Sequence, residues 1–127
     1  MDLTPLIPAG RQIVESYGDG RFRVSGRVFE GSVLVLTDRT SSWPVADAAS
    51  MTLEGLAAVA EAARGGTIDL LLVGCGTRMA PLPPGLRQAF RELGVVMEPM
   101  DTGAACRTYN VLMAEGRRVA AALIAIS

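Results

Sequence analysis

The chain has 127 residues, 50% hydrophobic and 20% charged, with a formal net charge of −1. That length suits one α/β-sized core, and the apolar fraction argues against a disordered chain. The near-neutral balance offers no basic face of the kind that nucleic acid or an anionic membrane surface attracts.

Two absences narrow the chemistry further. Histidine is missing, and all 12 basic residues are arginine. No Ser-His-Asp or Cys-His arrangement can form, nor any zinc site that needs imidazole. Without lysine there is no Schiff base and no phosphate-loop lysine, and arginine replaces neither because its guanidinium stays protonated. Codon bias toward arginine explains the missing lysine without any functional reason.

In chain order, the first third reads as β structure. Ile13–Tyr17 alternates, Gly18-Asp19-Gly20 supplies a tight turn, and Arg21–Val24 alternates again, which predicts a hairpin. Arg27-Val28-Phe29, a Glu30-Gly31 turn and Ser32–Thr37 repeat the pattern. Arg21, Arg23 and Arg27 interleave with Phe22, Val24 and Val28, so the polar face of a strand accounts for them better than nucleic-acid binding. Trp43 beside Pro44 is either a partner anchor or the cover of a core edge, and the second is the commoner role.

The period then changes. Thr52–Ala63 places Leu53, Leu56, Ala57 and Ala60 at helical spacing, and Gly65-Gly66 ends the helix. Ile68–Val73 is a nearly continuous apolar run, as in a strand buried on both faces. A glycine loop and a proline cluster follow, then a helix over about 84–93 and a short buried strand at Val95–Met97. Asp101 or Thr102 caps a third helix running to about Glu115, and Arg118–Ile126 is the last strand, placed at a sheet edge if it runs antiparallel. The expected fold is one α/β domain over residues 1–127. It has three layers: a mixed, mostly parallel central sheet, helices on both sides, and an N-terminal β-rich layer. Ile68–Val73 is expected in its interior, parallel to Val95–Met97.

Chemistry-bearing residues concentrate after the two buried strands. Gly74-Cys75-Gly76-Thr77-Arg78 sits where open α/β sheets collect ligands, and its glycines let backbone N–H groups approach an anion. Glu98 lies where a dinucleotide fold puts its ribose-binding acid. However, Met79 stands where the third glycine of G-x-G-x-x-G belongs, and Pro81–Pro84 lengthens the loop, so no nucleotide cofactor is assigned. The run Glu98–Thr102 leads into Cys106, Arg107, Tyr109 and Asn110 on the third helix. Tyr109 and Leu112 suit the core. Arg107 and Asn110 could bind a carboxylate or phosphate, or satisfy loop carbonyls; Arg107 could also pair with Glu98. Together Gly74, Cys75, Gly76, Thr77, Arg78, Asp101, Thr102, Arg107 and Asn110 form the candidate crevice, read as a weak anion site with helix-terminal N–H groups. Capping by Asp101 and Thr102 alone is the competing reading.

Cys75 and Cys106 are too few for a disulfide scaffold and have no metal-motif spacing, so no metal is expected. Cys75 as a nucleophile lacks a base, and a small apolar thiol is the simpler role. Met1–Pro5 shows no signal-peptide pattern, and the apolar run Val119–Ile126 is far shorter than the ~20 residues that span a bilayer. A cytoplasmic protein with free thiols is expected.

Three segments carry a resemblance: Leu71–Thr77, Glu98–Leu112 and Glu115–Leu123, together with the Gly31-Ser32 turn and Trp43. In these the chain resembles a family of small bacterial and archaeal α/β proteins. That family includes mitochondrial complex I assembly factor 3 and the human adipogenesis-associated domain protein. The likeness runs from about Tyr17 to Ile124. It implies a three-layer α/β fold whose mixed sheet ends in an antiparallel strand. For bacterial members it implies no activity, cofactor or catalytic residue; for the mitochondrial branch it implies a non-catalytic role in respiratory-complex assembly. The expectation is therefore a protein that binds another protein, leaning away from an enzyme, with an anionic-metabolite binder or enzyme as the alternative. Its oligomeric state is left open.

Overall fold

Residues 10–127 are described by the computed structural model. Among the described residues, five strands are followed by alternating helices and strands: β1 (Val14–Gly18), β2 (Arg21–Val24), β3 (Arg27–Glu30), β4 (Val33–Val35), β5 (Thr40–Ser42), α1 (Ala57–Arg64), β6 (Leu70–Gly74), α2 (Leu86–Glu92), β7 (Val96–Met100), α3 (Thr102–Ala114) and β8 (Val119–Leu123). Strands β1-β2-β3 form an antiparallel meander, and the main sheet runs β5-β4-β8-β6-β7.

The meander follows from its turns. Asp19 and Gly20 have φ of 53° and 72°, and Ser25 and Gly26 have 46° and 83°, so both two-residue loops use the positive-φ pair that matches strand twist. Phe22 and Val24 alternate inward along β2 while Arg21 and Arg23 face solvent. Arg21 pairs with Glu30 at 2.8 Å and Arg23 with Glu15 at 3.4 Å. The arginine strand is thus largely neutralised by its own neighbours, as the polar-face reading expects.

Alternation on the main sheet divides the core in two. Leu34, Leu71, Val73, Ala120 and Ala122 lie against α1 and α2, with Leu56, Val59 and Phe90 among the buried side chains. On the opposite face Val33, Val35, Leu72, Ala121 and Leu123 meet α3 and the meander through Tyr109, Met113, Phe22 and Val24. Each fully buried side chain of this size contributes roughly 1.5–3 kcal/mol through apolar area removed from water.

Four expectations need correction. The sheet is mixed but not mostly parallel: β6 is parallel to β7 and β8, whereas β4 is antiparallel to β5 and β8. The last strand, β8, is the centre of the sheet and not its edge, and all five of its residues are buried. Its run of alanines lets helices approach closely on both faces. The strand expected to be buried at Val95–Met97 is the edge strand β7, where Val96 is 52% exposed. The helix expected from Thr52 opens with a 3₁₀ turn at Glu54–Leu56, and α1 starts only at Ala57. Strand β5 was not expected at all. As expected, β6 is an interior strand parallel to β7, with helices on both faces.

Candidate functional site

The Gly74 loop and the start of α3 do meet, and hydrogen bonds close the seam between them. Strands β6 and β7 run parallel and end at the same edge, so Gly74 stands beside Met100 in register. The Cys75 N–H donates to the Met100 carbonyl at 2.8 Å, and the Thr102 N–H donates to the Gly76 carbonyl at 2.8 Å. Thr102, fully buried, accepts the Gly76 N–H on Oγ1 at 3.0 Å and donates the same hydroxyl to the Ile124 carbonyl at 2.7 Å. The Ile124 N–H returns to the Gly74 carbonyl at 2.9 Å. One hydroxyl therefore ties the ends of β6 and β8 to the first turn of α3.

Asp101 is the cap. Its carboxylate accepts the Ala104 N–H at 2.8 Å, placing a negative charge at the positive end of the helix. Gly74 serves close packing, since a Cβ there would stand 2.9 Å from Thr102 Cα, whereas Gly76 supplies a φ of 106° that other residues rarely adopt. Thr77 and Arg78 are exposed beyond the seam. Cys75 Sγ lies 3.7 Å from the carbonyls of Val73 and Ala80 and packs on the α1/α2 side, while Cys106 belongs to the core on the other face. Both thiols are free.

Arg107 and Asn110 leave the crevice for the meander. Asn110 holds Val14 by both backbone groups, accepting its N–H at 2.9 Å and donating to its carbonyl at 2.7 Å. This is a side chain completing a strand edge. Asn110→Ala should destabilise the protein by about 2–3 kcal/mol, because the buried residue Val14 loses two backbone partners at once; equilibrium urea unfolding reads the loss. Arg107 donates to the Tyr17 hydroxyl at 3.3 Å, not to Glu98. Gly103 admits that tyrosine, since a Cβ there would come within 2.5 Å of its oxygen. Val14, Glu15, Tyr17, Cys106, Arg107 and Asn110 line a hollow of about 360 Å³.

Burial raises the thiol of Cys106 from 9.0 to about 12, with Arg107 opposing the shift and Asp101 adding to it. Burial also raises the Tyr109 hydroxyl, which donates to the Gln12 carbonyl at 2.8 Å. A folded-state value above the unfolded one means that the unfolded chain loses the proton first. Stability should hold below pH 9.0 and fall as the pH rises toward about 12. Thermal unfolding of wild type and Cys106→Ala across that range measures the thiol's share.

Sequence reasoning missed a second hollow, of about 620 Å³. Gly31, Trp43, Pro44, Val45 and Ala125 are among its lining residues, with Glu30 as its single charged one. Ser32 builds its floor by donating to the Val45 carbonyl at 2.6 Å and accepting the Ala125 N–H at 2.9 Å. Trp43 is 2% exposed, so it covers a core edge, and its Nε1 has no hydrogen-bond partner among the described residues. No cluster of three or more His, Cys, Asp or Glu suited to a metal occurs among the described residues. No described helix is long and apolar enough to cross a membrane.

The family model described as Protein of unknown function (DUF498/DUF598) matches residues 14–124. The chain belongs to this family. The chain is 43% identical to an uncharacterised Rhodobacter capsulatus protein over 91% of its own length and 86% of that protein's. It is 33% identical, over 87% of its length, to the Xenopus tropicalis NADH dehydrogenase (ubiquinone) 1 alpha subcomplex assembly factor 3, and spans 60% of that relative. Among solved structures, a Bartonella henselae protein described as an outer membrane protein superimposes with a TM-score of 0.86 at 35% identity, covering 93% of this chain and 98% of that one. A Bordetella pertussis protein described as a Mth938-like domain gives 0.81 at 33% identity, covering 98% and 92%.

Proposed function

We propose that this chain is a non-enzymatic, assembly-type protein that works by docking on another protein, acting in the cytoplasm as one folded domain. The likeness to assembly factor 3 carries the reading, supported by what the candidate crevice lacks. The N–H groups of Cys75, Gly76, Thr102 and Ala104 are taken by the chain itself, and no cluster of three or more His, Cys, Asp or Glu suited to a metal occurs among the described residues. Respiratory-complex assembly is the proposed setting. Deleting the gene in its native host should reduce the assembled NADH dehydrogenase complex on native gels, and wild-type levels would refute that setting. Fractionation of the tagged chain tests the cytoplasmic placement, which rests on two free thiols.

One observation favours a second reading, an anionic metabolite held at the hollow beside α3. Arg107 lines that hollow and makes no ion pair among the described residues. Calorimetric titration with phosphate, citrate and nucleotides decides it. Binding at millimolar concentration that Arg107→Ala abolishes would support the anion site. No heat in either protein would leave Arg107 as a packing partner of Tyr17.

A further inference from the structure

The two sheets present four strand edges: β1 and β3 on the meander, β5 and β7 on the main sheet. An edge strand exposes unpaired N–H and C=O groups at alternate residues, and proteins that do not use an edge cover or interrupt it. Two of these edges are partly covered by the chain itself, and a third, β5, is only three residues long and runs out toward a proline. On β7 the outward residues are Met97 and Pro99, because Val96 and Met100 bond toward β6 and Cys75. Pro99 has no N–H, and the Met97 carbonyl accepts from Arg87 at 3.3 Å. On β5 the outward residues are Thr40 and Ser42, and the next outward position is Pro44. On β1, Asn110 occupies both backbone groups of Val14.

Among the described residues, strand β3 has no such cover. The Gly31 N–H bonds to the Gly20 carbonyl, so alternation turns Arg27 and Phe29 toward β2 and leaves the backbone groups of Val28 and Glu30 facing out. The Val28 side chain is 60% exposed. At one end of this edge Arg27 lies 5.1 Å over the Phe29 ring and, unlike Arg21 and Arg23, makes no ion pair among the described residues. At the other end Gly31 opens onto the hollow of about 620 Å³ beside Trp43, Pro44 and Val45. A Cβ at Gly31 would have no atom of the described residues within 4 Å.

We infer that the β3 edge receives one extended segment of a partner protein, added as a fourth strand of the meander. Main-chain bonds to Val28 and Glu30 supply the register, and side chains supply the choice of partner. Arg27 and Phe29 share one face of the sheet and Gly31 follows at the end of the strand, so the partner residues opposite Arg27 and Gly31 stand four apart, about 13 Å along a strand. The residue facing Arg27 is acidic; the one facing Gly31 is bulky and apolar and fills the hollow. This deepens the protein-docking reading above and rests on it.

The test uses ¹⁵N-labelled protein and capped eight-residue peptides of alternating threonine and valine, with a leucine four residues before a glutamate, the order that an antiparallel fourth strand requires. The amide resonances of Val28 and Glu30 should shift on titration to millimolar peptide. Val28→Pro removes one outward N–H and no ladder bond, so it should fold as wild type and bind at least tenfold more weakly, while Val28→Thr binds normally. Lysine in place of the peptide glutamate should weaken binding severalfold, and Arg27→Glu should reverse that preference, which decides the matter even if the proline variant unfolds. No shift at Val28 and Glu30, shifts at β5 or β7 instead, or an Arg27→Glu variant with unchanged preference would overturn the inference. So would a concentration-dependent dimer abolished by Val28→Thr or Arg27→Glu, since a second copy would then occupy the edge. In the deletion host, a lost complex fully rescued by Val28→Pro would sink the edge and spare the docking reading. An intact complex in that host would sink the respiratory setting and leave the peptide result standing.

Discussion

Gly74→Ala is expected to be the most damaging single-methyl change in the described part of the protein, costing about 3 kcal/mol or more. The position has ordinary backbone angles, so the effect does not come from conformational freedom. An alanine Cβ would meet Thr102 Cα at 2.9 Å, Thr102 Oγ1 at 3.0 Å and Leu123 Cδ2 at 3.2 Å. The nearest of these is backbone at the first turn of α3, held by the Thr102 N–H bond to Gly76 and by the Asp101 cap. It cannot rotate away as a side-chain end could. Relief requires moving α3 off the sheet, which opens the core around Tyr109 and Met113. Urea unfolding should show a lower midpoint with an unchanged slope. A loss below about 1 kcal/mol would mean that the seam is looser than described.

Thr102→Val should cost about 2–4 kcal/mol, although it preserves shape almost perfectly. Valine keeps the β-branch and fills the same space, so neither a cavity nor a rotamer change enters. What disappears is the hydroxyl between Gly76 and Ile124. The Ile124 carbonyl and the Gly76 N–H are left without that partner in a region where Thr102 itself has no exposed surface. A buried polar group stripped of its bond costs more than the bond contributed net. Thr102→Ser restores the hydroxyl and should recover most of the loss. A valine variant as stable as wild type, with the loss appearing only in serine, would assign the effect to the methyl group and not to the hydrogen bonds.

Local signals in the sequence were legible because they concern neighbouring residues. Gly18-Asp19-Gly20 announces its turn, the Phe22/Val24 alternation announces an inward face, and Asp101 announces a helix cap that the structure places one residue before α3. The run Ile68–Val73 likewise announces an interior strand. The position of β8 was not legible, because Val119–Leu123 has the same apolar pattern whether it pairs on one side or two. Only the long-range ladders to β4 and β6 make it central. Strand β5 escaped for a related reason: Thr40-Ser41-Ser42 has no apolar pattern and becomes a strand through pairing with β4.

The candidate site divides the same way. Adjacency of the Gly74 and Thr102 segments could be read from two consecutive parallel strands. That the segments satisfy each other's hydrogen bonds could not, since it depends on distances set by packing. Asn110 looked available for a ligand because its partner, Val14, is 96 residues away. Arg107 likewise meets Tyr17 across a separation of 90 residues. The hollow beside Trp43 left no motif at all, being built from Gly31, Ser32 and Ala125 at distant places in the chain.

The most direct measurement of the central claim is the native mass at which this chain travels in its host. Extracts should be separated by native electrophoresis and the chain followed by mass spectrometry across the gel. An assembly-type protein that docks on a partner should run with a partly built complex and be absent from the finished one. The chain running only at its own 13.3 kDa under every extraction condition would contradict the account.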